Sequence, residues 1–505
     1  MGAVQSIAES GTSATVINIE CHITQGLPNI IIVGFANRAV DEAKERLRGA
    51  FHASSIDFPK KRITINLAPA DIPKESSSFD LAIAVGVMHA AGMIGAHIPE
   101  KCLFIGELGL KGDIRAVRGI IGKLLAAKAK SYDTFFIPEE NQDQALLVPD
   151  ITVVPINSLR ALYLGMSGTT PLEKVYSKNG RQPVQQEEKA EIDLSDISGQ
   201  ARAKRVLEIA AAGGHNIMFS GPPGTGKSML AKALPGILPP MGLEEILEVT
   251  HLHSLASHNY DQIVTQRPFR SPHHSASETA IIGGGTHARP GEISLAHRGV
   301  LLLDEFPEYG RATIEALRQP LEDKVITVAR AKVNARYPAD FMLIATANPC
   351  PCGYYGTQKA CTCQPHMILK YQHKLSGPIL DRIDLYAEVD TIQHDALLRP
   401  NDTSESSSVV QKRVSAARSR QYKRYGSPTK TNAQLSNHDI KTHARIEPAA
   451  EELLNQAAER LQISARAYMR LIKVARTIAD LADSQTITAA HVSEAIQYRK
   501  QSPIL

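Results

Sequence analysis

The sequence predicts an α/β protein with more than one domain. In residues 1–165, short apolar runs alternate with stretches of helical periodicity, as in an α/β domain. From residue 193 to about 395, apolar strands lead into loops and helices in the order typical of a parallel sheet. Beyond residue 396 only helices are predicted. A chain of 505 residues also exceeds the size at which a single hydrophobic core stops growing.

The individual elements follow from these patterns in chain order. In the first domain we predict strands at residues 30–33, 63–67 and 135–137, and helices at residues 39–51, 81–91 and 119–129. Residues 166–192 are polar and contain glycine and proline, which predicts a linker. In residues 193–395 we predict strands at 216–220, 299–303 and 341–345. Residues 396–505 have predicted helices at 409–425, 448–461, 465–482 and 489–500, with Thr488 as a cap for the last.

Composition excludes several classes of protein. With 43% hydrophobic and 21% charged residues, the chain is neither disordered nor fibrous. We expect a cytoplasmic protein without a membrane partner, because no stretch reaches the ~18 apolar residues of a membrane helix and no secretory signal is evident. The net charge of +4 is too small to indicate a nucleic-acid partner by itself.

A glycine-rich loop lies between a predicted strand and a predicted helix. Residues 221–228 follow the apolar run 217–219 and precede helical residues. Glycines let backbone N–H groups approach phosphates at the positive end of a helix dipole. Lys227 is expected to reach the β and γ phosphates of ATP, and Ser228 to bind Mg²⁺. The predicted nucleotide-binding residues are Gly221, Pro222, Pro223, Gly224, Thr225, Gly226, Lys227 and Ser228.

A second predicted strand ends in two carboxylates. The apolar residues 299–303 are followed by Asp304 and Glu305, downstream of the phosphate loop. We expect Asp304 to hold Mg²⁺ through water and Glu305 to orient and polarise the water that attacks ATP. An acidic strand end alone is usually just solvated, but after a phosphate loop it predicts ATP hydrolysis.

Three further segments carry a resemblance to a known family. They are residues 267–274 (RPFRSPHH), 282–285 (IGGG) and 289–299 (RPGEISLAHRG). Together with the phosphate loop they resemble the YifB/ComM family of magnesium-chelatase-like AAA+ ATPases, over nearly the whole chain. The resemblance implies an α/β fold with an AAA+ P-loop core in residues 193–395 and a helical lid in residues 396–505. A Lon-protease-like α/β domain is expected to precede them in residues 1–165.

The resemblance also assigns roles to three polar residues outside the loop. Asn348 corresponds to the sensor that helps place the hydrolytic water, since an amide both donates and accepts hydrogen bonds. Arg382 corresponds to the arginine finger given to the γ-phosphate of a neighbouring subunit, a role that needs an oligomer, here a homo-hexamer. Arg466 corresponds to the lid sensor arginine, and Arg470, one helical turn further, is its rival. For each arginine, a surface salt bridge is the alternative.

Two segments resemble the hairpins that this clade of AAA+ proteins points toward the pore of its ring. One is residues 323–336, with Arg330 and Lys332 near its tip, and the other is residues 283–292, which includes Arg289. Basic hairpin tips can hold DNA phosphates without reading bases. A solvated hairpin is the alternative, because a few charges alone prove little.

A basic segment lies in the C-terminal region. Residues 409–430 contain seven basic residues and no acidic one, and Val410, Val414 and Ala417 mark an apolar stripe at helical spacing. The basic face is therefore expected to point outward. It indicates either contact with nucleic acid or a solvated helix face.

Four of the six cysteines lie close together in the sequence. They form two C-x-C pairs, Cys350 with Cys352 and Cys361 with Cys363. Four thiols match tetrahedral zinc, although two residues between the members of a pair are more usual. In a reducing compartment such a cluster indicates metal sooner than disulfides. We expect a structural zinc, with four reduced thiols or a redox pair as alternatives.

The first domain resembles the proteolytic domain of the Lon protease. The likeness is carried by residues 106–112 (GELGLKG), 122–127 (GKLLAA) and 137–141 (IPEEN). It puts Ser78 at the nucleophile and Lys123 at the lysine that would activate it. Here Phe79 and Asp80 follow the serine in place of small residues, and Asp80 is expected to favour a protonated Lys123, which cannot act as a base. We therefore expect a Lon-like fold without peptidase activity.

These observations predict a hexameric, ATP-driven motor that moves on DNA. The resemblance implies a helicase that drives branch migration when incoming DNA is recombined during natural transformation, acting on branched or forked DNA of any sequence. A chelatase-type or protein-remodelling motor is one alternative, and an ATP-dependent Lon-like protease is another. Stimulation of ATP hydrolysis by DNA distinguishes the first function from the other two.

Overall fold

Two α/β regions and a helical region follow one another along the chain. The computed structural model describes residues 4–10, 13–33, 38–69, 77–95, 98–183, 191–256, 262–285, 288–329, 334–375, 377–391 and 405–499. Its mixed α/β architecture with parallel sheets confirms the predicted fold class. None of the described helices is long and apolar enough to cross a membrane.

The first region is built on two four-stranded sheets. Its described strands are β1 (Val4–Ser10), β2 (Ser13–Thr24), β3 (Asn29–Val33), β4 (Arg62–Ala68), β5 (Cys102–Phe104), β6 (Glu107–Leu108), β7 (Ile114–Arg115), β8 (Thr134–Pro138), β9 (Ile151–Ile156) and β10 (Val175–Ser177). Its helices are α1 (Arg38–Ala53), α2 (Asp80–Ala90), α3 (Ile120–Lys128), α4 (Gln142–Ala145) and α5 (Leu159–Met166). The sheet orders are β1-β2-β4-β3 and β10-β9-β8-β5. Helix α2 shares one core with Ile65 of the first sheet and Phe136 of the second, because a helix without a polar face must be buried all round.

Strand β10 lies inside the segment predicted as a linker. Val175–Ser177 pairs antiparallel with β9 and extends the second sheet at its edge. Ser177 Oγ also donates a 2.7 Å hydrogen bond to the carbonyl of Leu146. Residues 175–177 of the predicted linker thus form an edge strand that pairs with β9. Residues 184–190 of the predicted linker lie outside the described residues.

The second region is built on a five-stranded parallel sheet. Its described strands are β11 (Ile217–Ser220), β12 (Phe269–Arg270), β13 (Gly283–Gly284), β14 (Arg289–Pro290), β15 (Val300–Leu303), β16 (Val325–Ala329), β17 (Asn334–Pro338), β18 (Met342–Ala347) and β19 (Leu385–Glu388). Its helices are α6 (Ala201–Gly213), α7 (Lys227–Ile237), α8 (Leu243–Ala256), α9 (Glu278–Ile282), α10 (Glu292–Leu295), α11 (Arg311–Ala316), α12 (Arg318–Asp323), α13 (Pro365–Gln372) and α14 (Gly377–Leu380). The sheet order is β12-β15-β18-β11-β19. Leu302 of β15 belongs to one hydrophobic core and Leu303 to another, so both faces of the sheet are covered. A strand that is buried on both faces is apolar throughout.

Two antiparallel ribbons lie where the sequence predicted hairpins. β13 pairs with β14, and β16 pairs with β17. Tyr337 of β17 donates a 2.7 Å hydrogen bond to the carbonyl of Ala288, which ties one ribbon to the other. Residues 286–287 and 330–333 lie outside the described residues, and with them Arg330 and Lys332.

The described C-terminal region is helical, as predicted. Its helices are α15 (Ser407–Tyr425), α16 (Asn437–His443), α17 (Pro448–Arg460), α18 (Ala465–Leu481) and α19 (Ala489–Gln497). Val414 of α15 and Ile478 of α18 share a core with Leu234 of α7, so the C-terminal helices pack on the second region. Asp480 is fully buried and is paired with Arg424 and Arg476, as a buried charge requires.

Helix α8 connects the two α/β regions. Its residues Ile246 and Val249 share a core with Ile120 and Leu124 of α3. Gln144 Nε2 also donates a 3.1 Å hydrogen bond to the carbonyl of Gln262. The first region is therefore docked on the second through an apolar surface rather than only tethered to it.

Candidate functional site

Three loops of the second region meet at one edge of its sheet. The phosphate loop follows β11, Asp304 follows β15, and Asn348 comes after β18. These strands are neighbours and run parallel, so their carboxyl ends lie side by side. Ligands of open α/β sheets bind at this edge.

The phosphate loop leads straight into helix α7. Gly224 and Gly226 have φ angles of 78° and 90°, a left-handed conformation that favours glycine. Lys227 is buried, and its Nζ donates 2.7 Å hydrogen bonds to the carbonyls of Gly221 and Pro222. Burial lowers the pKa of Lys227, and the nearby carboxylates only partly offset this. The ammonium group is thus held over the loop at the N-terminus of a helix, the arrangement that binds phosphates.

The two predicted magnesium ligands are in contact. Ser228 Oγ donates a 2.8 Å hydrogen bond to Asp304 Oδ2. Thr346 Oγ1 donates to the other oxygen of Asp304, and the same hydroxyl accepts from the backbone N–H of Glu305 at 3.0 Å. Thr346, which no sequence pattern singled out, therefore holds the carboxylate of Asp304 and the backbone of Glu305 from the neighbouring strand.

The predicted sensor reaches the phosphate loop. Asn348 Oδ1 accepts a 3.2 Å hydrogen bond from Lys227 Nζ. The structure thus brings Lys227, Ser228, Asp304 and Asn348 together, as a nucleotide site requires.

A histidine lies next to Glu305. His274 Nδ1 is 3.9 Å from Glu305 Oε2, and the Glu305 side chain is about half exposed. The His274 ring packs on the ring of His273 at 4.2 Å and lies edge-on to Tyr309. Tyr309 in turn donates a 2.5 Å hydrogen bond to the carbonyl of Pro272. His274 belongs to the segment that carried the family resemblance, but only the fold brings it to the carboxylate.

Arg382 and Arg466 lie together in a different place. Both contact Glu322 at the end of α12, Arg466 at 2.9 Å. They line a cavity of about 650 Å³ between the core and the C-terminal helices, and no residue of the phosphate loop lines it. Arg470, the rival of Arg466, lies 3.8 Å from Asp384 and donates to the carbonyl of Ile383 at 3.2 Å. Two arginines therefore share one partner and one cavity, which no residue of the phosphate loop of the same chain lines.

The four clustered cysteines converge in space. Their sulfur atoms all lie within 4.8 Å of one another. Cys350 and Cys352 are 3.4 Å apart, and Cys361 lies 3.7 Å from Cys350 and 3.5 Å from Cys352. A tetrahedral zinc with Zn–S bonds of 2.3 Å needs sulfur atoms about 3.8 Å apart. The thiols therefore fit a tetrahedral metal ion, and the loop that carries them begins directly after Asn348.

Comparisons with known proteins match the whole chain. Family models described as "Magnesium chelatase, subunit ChlI", "Subunit ChlI of Mg-chelatase" and "Magnesium chelatase, subunit ChlI C-terminal" match residues 193–397, 19–141 and 404–499. The competence protein ComM of Haemophilus influenzae is 41% identical over 100% of this chain and 98% of its own length. The protein YifB of Escherichia coli is 42% identical over 99% of this chain and 97% of its own length.

The chain belongs to the YifB/ComM family of magnesium-chelatase-like AAA+ ATPases. ATP with Mg²⁺ fits this family and the contacts around Lys227 and Asp304. A Lon protease of Mycolicibacterium smegmatis is 26% identical over 32% of this chain and 20% of its own length. The predicted similarity of the α/β region before the AAA+ core to the Lon protease is therefore confirmed.

The basic helix of this AAA+ ATPase differs from the prediction. The basic side chains of residues 409–430 were expected to face outward, but five of the seven are engaged within the chain. These are Arg413, Arg418, Arg420, Arg424 and Lys430. Arg418 is buried and donates to the carbonyl of Ala211 at 2.9 Å. The prediction differs from the structure because partners such as Ala211 lie far away in the sequence. Spacing along a helix does not reveal such partners.

The Lon-like region also corrects one expectation. Asp80 was expected to act on Lys123, but it accepts hydrogen bonds from Arg46 at 2.6 and 3.1 Å. Burial raises the pKa of Asp80 to about 6 although Arg46 lowers it. Lys123 is buried, and its Nζ donates to the carbonyl of Arg118 at 2.5 Å. The charge of Asp80 is thus paired with a residue of α1, which weakens its expected influence on Lys123.

Three residues were predicted to bind DNA, Arg289, Arg330 and Lys332, and of these Arg289 lies within the part of the chain that the structure describes. It lies in β14, its side chain is exposed, and its backbone pairs with Gly284 of β13.

Proposed function

We propose that this AAA+ ATPase is a hexameric ring that moves along DNA. In this proposal it acts as a helicase that drives branch migration in the recombination of incoming DNA, in the cytoplasm. The printed name of its relative, a competence protein, supports a role with incoming DNA. The chain is proposed to consist of a Lon-like domain in residues 1–165, an AAA+ core in residues 193–395 and a helical lid in residues 396–505.

The hydrolytic site is proposed to lie at the carboxyl edge of the parallel sheet. Lys227 binds the β and γ phosphates, and Ser228 and Asp304 hold Mg²⁺. Glu305 polarises the attacking water, which Asn348 helps to place. The contacts of Lys227 with Asn348 and of Ser228 with Asp304 support these roles. Bound Mg²⁺ would neutralise charge on the phosphates as the γ-phosphate leaves.

The proposal that the chain forms a ring depends on the positions of Arg382 and Arg466. Both contact Glu322 and line a cavity that contains no residue of their own phosphate loop. An arginine that stabilises the charge of the transition state must reach the γ-phosphate. From this surface, the nucleotide to be reached belongs to an adjacent copy of the chain. Closed rings form when such head-to-tail contacts repeat.

The ribbons β13–β14 and β16–β17 are the proposed DNA contacts. The exposed side chain of Arg289 supports the proposal directly, and Arg330 and Lys332, which lie outside the described residues, are proposed to contact DNA as well. Phosphate contacts of this kind carry no sequence information, so we propose binding that is independent of sequence. The basic helix α15 is not included, since most of its charges are paired within the chain.

We further propose that Cys350, Cys352, Cys361 and Cys363 hold a structural zinc ion. The sulfur separations of 3.4 to 3.7 Å support this, since they approach the edge of a tetrahedral zinc site. The ion would brace the loop that joins β18, next to the sensor Asn348, to helix α13.

A protein-remodelling motor of the chelatase type is the second candidate. The match of three family models for the magnesium-chelatase subunit ChlI supports it. The three functions, including an ATP-dependent protease, differ in what stimulates hydrolysis. We therefore compare the ATPase rate with forked DNA, with a porphyrin and a partner extract, and with an unfolded protein.

The proposed function predicts stimulation by forked DNA and by neither of the other additions. Lys227→Ala and Glu305→Gln should abolish that stimulated rate. Glu308→Gln is the matched control, because Glu308 follows Glu305 closely but pairs with Lys374 at 3.1 Å. Rings around DNA in electron micrographs taken with ATP would support the assembly. Stimulation by unfolded protein alone would contradict the proposed function.

A further inference from the structure

Glu322 is the shared partner of the two arginines proposed to act on a neighbouring subunit. Its carboxylate accepts from the NH2 group of Arg382 and, at 2.9 Å, from that of Arg466. The hydrogen bond from Arg382 lowers the pKa of Glu322, and the charge of Arg466 adds to this effect. The carboxylate is therefore ionised near neutral pH and balances both guanidinium groups.

The three residues come from three separate parts of the fold. Glu322 belongs to α12, Arg382 follows α14, and Arg466 lies in the first turn of α18. Helix α18 is part of the lid, whereas α12 and α14 are part of the core. A single carboxylate thus joins the lid to the core across the cavity that the arginines line.

Helix α12 is mechanically continuous with the ribbon β16–β17. Lys324 alone separates α12 from β16. Gln319 of α12 exchanges two hydrogen bonds of 3.3 Å with Thr327 of β16. The backbone N–H of Ala339, just after β17, donates to the carbonyl of Lys324 at 2.8 Å. The end of α12 is therefore hydrogen-bonded to both sides of the ribbon.

A phosphate group can compete with Glu322 for the arginines. Guanidinium groups bind carboxylate and phosphate oxygens through the same paired N–H donors. Arg382 Nε is buried and has no acceptor among the described residues, so this donor becomes available to a phosphate oxygen only when the side chain moves away from Glu322. The pair of Arg466 with Glu322 is exposed on both sides, at 54% and 49%, so it is a weak one that a highly charged phosphate can displace, whereas Arg382 is only 14% exposed.

We propose that Glu322 is a positioning residue that holds Arg382 and Arg466 in reserve and exchanges them for the γ-phosphate of the adjacent subunit. The exchange frees α12, so that the ribbon β16–β17 senses which nucleotide the neighbour holds. The inference rests on the proposed function, because it requires that the arginines act between subunits.

The test compares Glu322→Gln with Asp323→Asn in the full-length protein. Both substitutions remove one negative charge at the end of α12, but only the first removes the partner of the arginines. We measure kcat and KM for ATP without DNA and with forked DNA, and base pairs unwound per ATP. Glu322→Gln should raise the rate without DNA by about two- to fivefold, the range set by losing an exposed ion pair. It should also lower KM for ATP and the number of base pairs unwound per ATP.

Additional variants separate positioning from a purely structural role. Asp323→Asn should behave as the wild type, and Glu322→Asp should recover most of the normal coupling. Adding Arg382→Ala to Glu322→Gln should return the rate without DNA to that of Arg382→Ala alone. A Glu322→Gln protein with unchanged rate, KM and coupling would overturn the inference. A uniform loss of all rates with a lowered Tm would also overturn it, because that result indicates a structural contact only.

Failure of the proposed function gives a different result. If forked DNA does not stimulate the wild type, the DNA-motor proposal fails. The comparison of Glu322→Gln with Asp323→Asn without DNA still decides whether the carboxylate restrains the arginines.

Discussion

Glu305 Oε2 and His274 Nδ1 lie 3.9 Å apart, and this contact joins the carboxylate proposed to polarise the attacking water to the loop that follows β12. His274 therefore bears on the orientation of Glu305 rather than on the chemistry itself. The contact is partly exposed, with 37% of the His274 side chain accessible, so its effect on the rate should be small.

The first prediction separates these two roles. Glu305→Gln should lower kcat by at least about 100-fold, because the general base is lost. His274→Ala should lower kcat by no more than about fivefold. His273→Ala is the matched control, since its Nδ1 faces Ser275 at 2.7 Å instead. Steady-state ATP hydrolysis measures kcat of the three variants, and Glu305→Gln should lose the most. Equal losses of kcat in all three variants would contradict the prediction.

The second prediction concerns Arg289 and the binding of DNA. Arg289→Ala should weaken binding to DNA of any sequence and reduce the slope of log K against log salt by about 1, as for one lost phosphate contact. The ATPase rate without DNA should not change. Fluorescence anisotropy over a salt series makes the measurement.

Lys412→Ala tests the alternative surface on the basic helix α15, because its side chain is exposed. If Lys412→Ala weakens DNA binding and Arg289→Ala does not, the DNA contact lies on helix α15 of the lid and not on the ribbon β13–β14.

The third prediction concerns the cysteine cluster. Purified protein should contain about one equivalent of zinc per chain, as four thiolates bind one tetrahedral ion. Cys352→Ser should lose the metal and lower Tm, because structural zinc contributes folding energy. Cys21→Ser is the control, since burial raises the pKa of that thiol to about 12 and it lies outside the cluster. Less than a tenth of an equivalent of zinc in the wild type would refute the metal site.

The fourth prediction concerns stability against pH. Burial by itself raises the pKa of Glu248, but hydrogen bonds from His297 and Arg298 outweigh it and hold the pKa at about 2. A folded-state pKa below the unfolded value gives stability that is complete above pH ~4.5 and lost as the pH falls toward 2. Glu248→Gln should therefore lower the free energy of unfolding by about 1 kcal/mol at pH 7, since the carboxylate is partly exposed.

Urea unfolding at several pH values checks this effect of Glu248. The difference from the wild type should shrink steadily below pH ~4.5. A difference that stays constant down to pH 3 would show that the substitution acts by packing rather than by charge.

Local patterns predicted much of this structure. The strands that precede the phosphate loop, Asp304 and Asn348 follow from apolar runs, and the adjacency of parallel strands then brings their ends together. The ribbons were predicted from short segments by resemblance. Such elements are recoverable because neighbours in the sequence determine them.

Contacts between distant segments could not be predicted. Glu322 meets Arg382 and Arg466 across separations of 60 and 144 residues. Arg46 and Asp80 are 34 residues apart, and β10 is held by β9 and by the carbonyl of Leu146, which lie outside its own segment. No local pattern signals such partners, because tertiary packing alone selects them.

The most direct test of the account mixes two inactive proteins. Arg382→Ala subunits keep their phosphate loop, and Lys227→Ala subunits keep their arginine, so a junction between the two has one intact copy of each group. About a quarter of the junctions in randomly mixed rings should therefore hydrolyse ATP, although each protein alone does not. Recovery of DNA-stimulated turnover on mixing is the predicted result. No recovery, under conditions in which mixed rings are seen to form, would contradict a nucleotide site shared between neighbouring subunits.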